Sequence, residues 1–350
     1  MKHGLCVVGN GGMGDWHVRR AKKSDAVNII AVHDIKEARN VFAEEERGVK
    51  AYRTLEEVLA DKSIEIVTIA TPNDVHESIA IRCMEAGKHV ISEKPVTLSV
   101  ASLERMIAAS EKYGVKFSVH QNRRWDPDYL VMKRFFEDGT IGDILNIESR
   151  VHGSRGVPDD WRKLKPYGGG MLYDWGVHMI DQLLMLFHDT RLASVFCEFD
   201  HITTSEVDDG FKLTLWFASG ARAYTEVSTH SFISLPRFYI QGKHGTALIA
   251  DWGKPCQVTE CVGWEEKDVT PIQAAAGLTK TMAPRDEITT KSYEIELPET
   301  DPHDYYRNFC AAIEGKGELI VTHKQMLRVM RVIEAAFESN EKKQVIAFEE

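Results

Sequence analysis

Leu5-Cys6-Val7-Val8-Gly9-Asn10-Gly11-Gly12-Met13-Gly14 is the stretch on which the fold of this chain turns. Four apolar residues run into a glycine-rich turn, and Trp16-His17-Val18-Arg19-Arg20-Ala21 continues as a helix-compatible segment. A second apolar run, Val27 to Val32, ends in His33-Asp34. Gly9, Gly11 and Gly14 fit the pattern G-x-G-x-x-G, which is weak alone and stronger in this setting. A buried-strand pattern precedes it, a helix follows, and Asp34 lies 20 residues beyond Gly14 at the end of the next strand.

Each residue type there has a physical task. Gly9 allows a tight turn out of the strand, Gly11 lets the backbone approach a pyrophosphate, and Gly14 lets the following helix pack close. With Gly12 and Met13 the loop forms a phosphate cradle, and the free N–H groups and positive dipole end of the helix face it. Asp34 is placed to accept hydrogen bonds from both ribose hydroxyls of a dinucleotide and to repel a 2′-phosphate. That favours NAD over NADP, and Lys36 and Arg39 lie close enough to weaken the preference.

Outward from this unit the alternation continues. Lys36 to Arg47 has the pattern of a charged surface helix, and Thr54 with Glu57 makes a capping box for a short helix. Ile66-Val67-Thr68-Ile69-Ala70 is a β-branched run that predicts a buried parallel strand ending in Thr71-Pro72-Asn73. Asp74 to Ala86 is helical with Gly87 as its stop, and His89 to Ser92 is a strand ending in Glu93-Lys94-Pro95. Ser99 to Tyr113 is a helix, and Val115 to Val119 is a strand ending in His120-Gln121-Asn122-Arg123-Arg124. Alternation to about residue 122 predicts an α/β fold with a doubly wound parallel sheet, whose ligands sit beyond the carboxyl ends of its strands.

From there the pattern changes. A helix is expected from Asp126 to Glu137 and a strand from Ile144 to Val151. Tyr167 to Phe187 holds a glycine run and a helix. From Ser194 onward strands follow one another; Phe211, Leu213, Leu215 and Phe217 alternate with polar residues and turn back at Ser219-Gly220. Further strands are expected near Arg237–Gln241, Thr246–Asp251, Gln257–Val262 and Val345–Phe348, and helices at His303–Ile313 and Lys324–Ser339. Glu265 to Lys291 is polar and irregular, the pattern of a flap. The division is residues 1–122 and residues 123–350, the second an α+β unit whose open, mainly antiparallel sheet invites self-association.

Composition narrows the function. The chain has 350 residues, 43% hydrophobic and 27% charged, as soluble globular proteins do. A net charge of −10 without a basic patch argues against nucleic acid. No apolar stretch approaches a membrane span, and a strand at the start leaves no room for a signal peptide. Cys6, Cys83, Cys197, Cys256, Cys261 and Cys310 are scattered, with no zinc-module spacing, so a reduced, cytoplasmic protein is expected.

The sharpest chemistry in the second half is Gly168-Gly169-Gly170-Met171-Leu172-Tyr173-Asp174-Trp175-Gly176-Val177-His178. On a helix starting near Met171, Asp174, His178 and Asp181 share a side, and Asp174 and His178 stand at i and i+4. A carboxylate beside an imidazole fixes its tautomer and raises its basicity, which suits a general base. On spacing alone such a pair is more often a surface ion pair. The glycines would let the backbone approach a ligand. No second histidine stands at metal-ligand spacing from His178, so no metal is expected. Lys94 ends a buried strand, where its amine could meet a substrate hydroxyl, and Pro95 is a candidate cis proline. Arg123 and the Asp160-Trp161-Arg162 segment could hold a polyol by forked hydrogen bonds and ring contact. His76 starts a helix after a strand end.

Taken together these residues resemble the Gfo/Idh/MocA family of NAD(P)-dependent oxidoreductases. The resemblance spans nearly the whole chain. It rests on the Gly9/Gly11/Gly14 loop, Thr71-Pro72-Asn73 with His76, Ala86-Gly87-Lys88-His89-Val90, and Glu93-Lys94-Pro95. It continues in Asn122-Arg123-Arg124 and in Gly168-Gly169-Gly170 with Asp174 and His178. It implies a Rossmann domain, a second α/β domain whose open sheet forms dimers or tetramers, and Lys94, Asp174 and His178 converging on substrate. Thr71, Pro72, Asn73, His76, Glu93, Lys94 and Asn122 are then expected at the cofactor, and Arg123, Trp161 and Arg162 at the substrate. The implied reaction is hydride transfer between NAD, or NADP, and a secondary alcohol of a sugar, glycoside or cyclic polyol. Family members also include redox-neutral glycoside-cleaving enzymes that use NAD, and dinucleotide-binding regulators without turnover.

Overall fold

The computed structural model describes residues 2–263, 270–285 and 287–349. Strands β1 (His3–Val8), β2 (Val27–His33), β3 (Lys50–Tyr52), β4 (Ile66–Ile69), β5 (His89–Ser92) and β6 (Phe117–Val119) form a parallel sheet in the order β3-β2-β1-β4-β5-β6. The chain starts in the middle of this sheet and reverses its direction of travel between β1 and β4, which opens a crevice at their carboxyl ends. Leu5, Cys6, Val7, Ile66, Val67 and Ile69 are fully buried, as a sheet covered on both faces requires. Helices α1 (Gly12–Ala21), α2 (Glu37–Arg47), α3 (Leu55–Ala60), α4 (His76–Glu85) and α5 (Val100–Tyr113) cover it. The Thr54–Glu57 capping box forms, and α5 ends at Gly114 with φ 66°. β3 is too short and too polar to stand out in the sequence.

The second half is built on a nine-stranded mixed sheet. After α6 (Pro127–Asp138) come β7 (Ile144–His152), α7 (Val177–Leu186), β8 (Leu192–Asp200), β9 (Gly210–Phe217), β10 (Arg222–Ser228), β11 (Phe238–Gly242), β12 (Gly245–Ile249), β13 (Cys256–Cys261), β14 (Ile272–Ala274), β15 (Gly277–Thr279), β16 (Thr290–Ile295), α8 (Asp304–Ile313), α9 (His323–Lys342) and β17 (Ile346–Ala347). The order is β16-β13-β12-β11-β7-β10-β9-β8-β17, and only β7 and β10 pair in parallel. Phe211, Leu213, Leu215 and Phe217 face the helices and are buried, while Phe196, Trp216, Tyr224 and Tyr239 lie half-buried on the other face.

The expected flap falls partly on residues 265–269 and 286, which lie outside the described residues. Of the rest, β14 and β15 pair as a small hairpin, and β16 adds an edge strand that the polar sequence Thr290-Lys291-Ser292 concealed. An edge strand faces water on much of its surface and carries little apolar signal.

The last two helices tie the halves together. Tyr305 on α8 donates its hydroxyl to Val119 O at 3.0 Å, at the end of β6. Ser339 and Asn340 on α9 accept from the β8 N–H groups of Cys197 and Phe199 at 2.9 Å. One buried apolar cluster runs through both layers. All six cysteines are free, and among the described residues no helix is long and apolar enough to cross a membrane.

Candidate active site

The carboxyl ends of β1, β2, β4 and β5 open onto a cleft of about 900 Å³. Gly9 leaves β1 with φ 93°, and a Cβ there would meet Ala70 C and O at 2.6 Å. A Cβ on Gly14 would stand 1.9 Å from Gly9 O, so α1 reaches its close packing only with glycine at that position. A Cβ on Gly12 would meet nothing within 4 Å, because that residue faces the cleft. A strained exit, an open glycine face and a helix N-terminus make a cradle that fits a dinucleotide pyrophosphate.

Gly9, Gly11, Gly12, Met13, Asp34, Thr71, Pro72, Asn73, Glu93 and Lys94 all line this cleft, as do Trp161, Arg162 and Asp174 from the second half. Gly14, His76, Asn122, Arg123 and His178 are not part of its lining. His76 is fully buried behind the wall, between Thr71 O at 3.0 Å and Pro95 O at 3.1 Å. It holds two strand-end loops in register rather than touching the cleft. Asn73 donates to Tyr167 O and Gly168 O at 3.1 Å, joining the wall to the second half. Glu93 is pinned by His17 and His120, both at 2.8 Å from the same carboxylate oxygen. Burial opposes its charge, but the two histidines outweigh burial and hold the carboxyl well below its usual range. His17, Glu93 and His120 are the sole group of three metal-type donors among the described residues, and both histidines are hydrogen-bonded to Glu93.

The expected Asp174–His178 pairing is replaced by two other contacts. Leu172–Gly176 forms a π-helical turn, in which Val177 N–H donates to Leu172 O. The wider turn takes Asp174 out of i,i+4 alignment with His178. Asp174 instead receives Lys94 Nζ at 3.0 Å on Oδ1 and at 2.9 Å on its carbonyl, and Arg162 Nε at 3.3 Å on Oδ2. Burial disfavours its charge, yet Lys94 and Arg162 bring the carboxyl below its ordinary value. The Lys94–Pro95 bond is cis. Asp181, expected on the same side, is held by Arg124 through hydrogen bonds of 2.6 and 2.8 Å and is structural.

His178 pairs with Gln121, whose Oε1 lies 3.0 Å from Nδ1. The amide nitrogen of Gln121 points to Val177 O at 3.5 Å, which orients the amide. An acceptor at Nδ1 requires the proton there and leaves Nε2 as the acceptor nitrogen. Burial, with the charges of Lys94 and Arg123, holds the imidazole well below its usual pKa. The ring is therefore neutral, and no residue among those described is hydrogen-bonded to Nε2. Gln121 was legible only as part of a strand end. Arg123 is clamped over the Trp175 ring at 4.4 Å and donates to Asp126 at 2.8 Å.

The glycine run admits protein atoms, not ligand. A Cβ on Gly168 would strike Leu98 at 2.2 Å, on Gly169 Arg162 O at 2.3 Å, and on Gly170 Asp208 Oδ1 at 2.1 Å. Asp208 caps the segment carrying Asp174 and His178: its Oδ2 accepts from Leu172 N at 2.7 Å. Burial pushes its carboxyl up to about 7, from an ordinary 3.8, against the pull of the backbone N–H groups of Leu172 and Met171. The folded protein then binds a proton that the unfolded chain has released, so this residue costs stability as pH rises between those values. Asp208→Asn keeps an acceptor and cannot ionise. Its melting temperature relative to the parent should climb as pH rises from 3.8 to about 7, and a pH-independent difference would contradict the assignment.

Comparison with known proteins is consistent across the chain. Residues 4–121 match the model of the oxidoreductase family with an NAD-binding Rossmann fold, and residues 129–248 match the GFO/IDH/MocA C-terminal domain. A scyllo-inositol 2-dehydrogenase (NADP(+)) from Bacillus subtilis is 31% identical, over 84% of this chain and 82% of its own length. A myo-inositol 2-dehydrogenase from Thermotoga maritima is 30% identical over 61% of this chain and 65% of its own. The crystal structure of an NAD-binding protein from Listeria innocua superposes with a TM-score of 0.95 at 42% identity, covering 99% of both chains.

Proposed function

Because the chain belongs to the Gfo/Idh/MocA family and is an NAD(P)-dependent dehydrogenase acting on CH–OH groups, we propose that its substrate is a secondary alcohol or ketone of a sugar, glycoside or cyclic polyol. The observation that carries this is Lys94, just past β5, on the wall of a dinucleotide cleft and bound to Asp174, with His178 of α7 close enough for the Lys94 charge to lower its pKa. The inositol dehydrogenases among its relatives support a cyclic polyol.

When bound, the nicotinamide supplies the hydride acceptor or donor. The remaining steps belong to side chains of this protein. His178 Nε2 takes the hydroxyl proton, and Gln121 keeps the opposite nitrogen protonated so that Nε2 stays free to do so. Lys94 commits two donors to Asp174 and has a third for the same substrate oxygen, where it stabilises developing negative charge. Asp174, itself bound by Arg162, holds the ammonium in place. Trp161 and Arg162, on the cleft wall, meet the ring and its other hydroxyls.

The test is a panel of inositols, sugars and glycosides with NAD and NADP, followed by absorbance and by product analysis. Reduced cofactor appearing together with a ketone product is the expected outcome. Product without reduced cofactor would replace this reading with redox-neutral cleavage, and a partner-dependent response without turnover would replace it with sensing.

A further inference from the structure

The tight turn between β12 and β13 carries a tryptophan that the turn itself does not need. Trp252 N donates to Asp251 Oδ1 at 2.8 Å, and Gly253 follows with φ 70°. Such turns favour small or polar residues, and an indole serves none of their needs. The Trp252 ring rests on the guanidinium of Arg237 at 4.5 Å. Arg237 is itself buried, held by Asp128 at 3.1 Å and Ser149 at 2.6 Å. Trp252 nevertheless stays 43% exposed. Its ring lies 6.2 Å from that of Trp175, and the Arg123 guanidinium stands 4.4 Å from Trp175 and 5.5 Å from Trp252. Arg123 makes one side-chain hydrogen bond among the described residues, to Asp126, which leaves most of its N–H groups for other acceptors.

This cluster adjoins the proposed reacting groups. Trp175 follows Asp174, which holds Lys94, and the Arg123 charge reaches His178. The antiparallel pairing of β7, β11 and β12 puts the Trp252 turn at the end of the sheet where β7 leaves for Trp161 and Arg162 on the cleft wall.

We infer that Trp252 and Trp175, with Arg123 beside them, form a subsite for a second ring, so that the substrate is a glycoside. Its sugar ring is placed at Lys94 and His178, and its aglycone ring lies against Trp252. The inference rests on the reading of Lys94 and His178 as the reacting groups. An indole backed by a fixed guanidinium is a rigid platform for a ring, and the spare Arg123 donors suit hydroxyls beside it. A free inositol would leave this platform empty.

Calorimetry on the complex with reduced cofactor tests it without turnover. That complex is titrated with myo-inositol and with the methyl and phenyl glycosides of glucose, galactose, mannose and xylose, in both anomers. At least one phenyl glycoside should bind roughly tenfold more tightly than its methyl counterpart, the worth of a good aromatic contact. Trp252→Ala should abolish that preference and Trp252→Phe should keep most of it, and cofactor titration of each variant reports that it is folded. Oxidation of the same compounds with NAD and NADP is followed in parallel. A phenyl preference without turnover would support the subsite and remove the dehydrogenase reading of the site. No phenyl preference in any pair, or a preference that survives Trp252→Ala, overturns the subsite whatever the turnover.

Discussion

His178→Ala should lower the turnover of a confirmed substrate by roughly 10²–10⁴-fold, the usual worth of a positioned general base. Cofactor binding should be unaffected, since His178 is 5% exposed and lies outside the lining of the dinucleotide cleft. The pH dependence carries a second signature. Burial is the main cause that lowers the imidazole pKa, aided by the Lys94 and Arg123 charges. The acid limb of kcat/KM should therefore fall well below the ordinary histidine value of 6.5. Unchanged turnover in the alanine variant, or an acid limb centred on the ordinary value, would remove His178 from the base position.

Lys94→Ala should reduce kcat by roughly 10²–10³-fold, comparable with removing one donor from an oxyanion site. Two effects combine. The donor facing the substrate oxygen disappears, and the carboxylate of Asp174 is left with Arg162 at 3.3 Å as its remaining partner among the described residues. Lys94→Arg should not restore the rate, because a planar fork cannot reproduce a point ammonium between the carbonyl and carboxylate of one residue. Steady-state and single-turnover rates at saturating cofactor measure this. A variant that raises KM with kcat intact would make Lys94 a binding residue only.

The first half was nearly complete in the sequence because its signals are local. A parallel strand buried on both faces must be a continuous apolar run, and the glycine positions are dictated by contacts of 1.9 and 2.6 Å that no side chain tolerates. The site was harder because its partners are remote. Lys94, Asp174 and His178 were legible as chemistry-bearing residues, but who touches whom was not. The i,i+4 argument assumes an α-helix, and the π turn at Leu172–Gly176 breaks that assumption. A Cβ on Gly176 would stand 3.0 Å from Leu172 and 3.1 Å from Phe211. That turn is set by packing against β9, which spacing cannot report. Gln121 reaches His178 across 57 positions, and Asp208 reaches Leu172 across 36. At Asp34 the motif placed the acid correctly, but its hydrogen bonds from Asn10, Lys36 and Arg39 were invisible.

The most direct test of the account is the protonation state of His178 in the resting protein. Nitrogen-15 NMR of histidine-labelled protein, with His178 assigned by difference against the alanine variant, reads each ring nitrogen separately. The expected result is a protonated Nδ1 and an unprotonated Nε2, held from neutral pH to well below the ordinary histidine value of 6.5. A ring protonated on Nε2, or one that titrates at the ordinary histidine value, would contradict the claim that Gln121 presents His178 as the base.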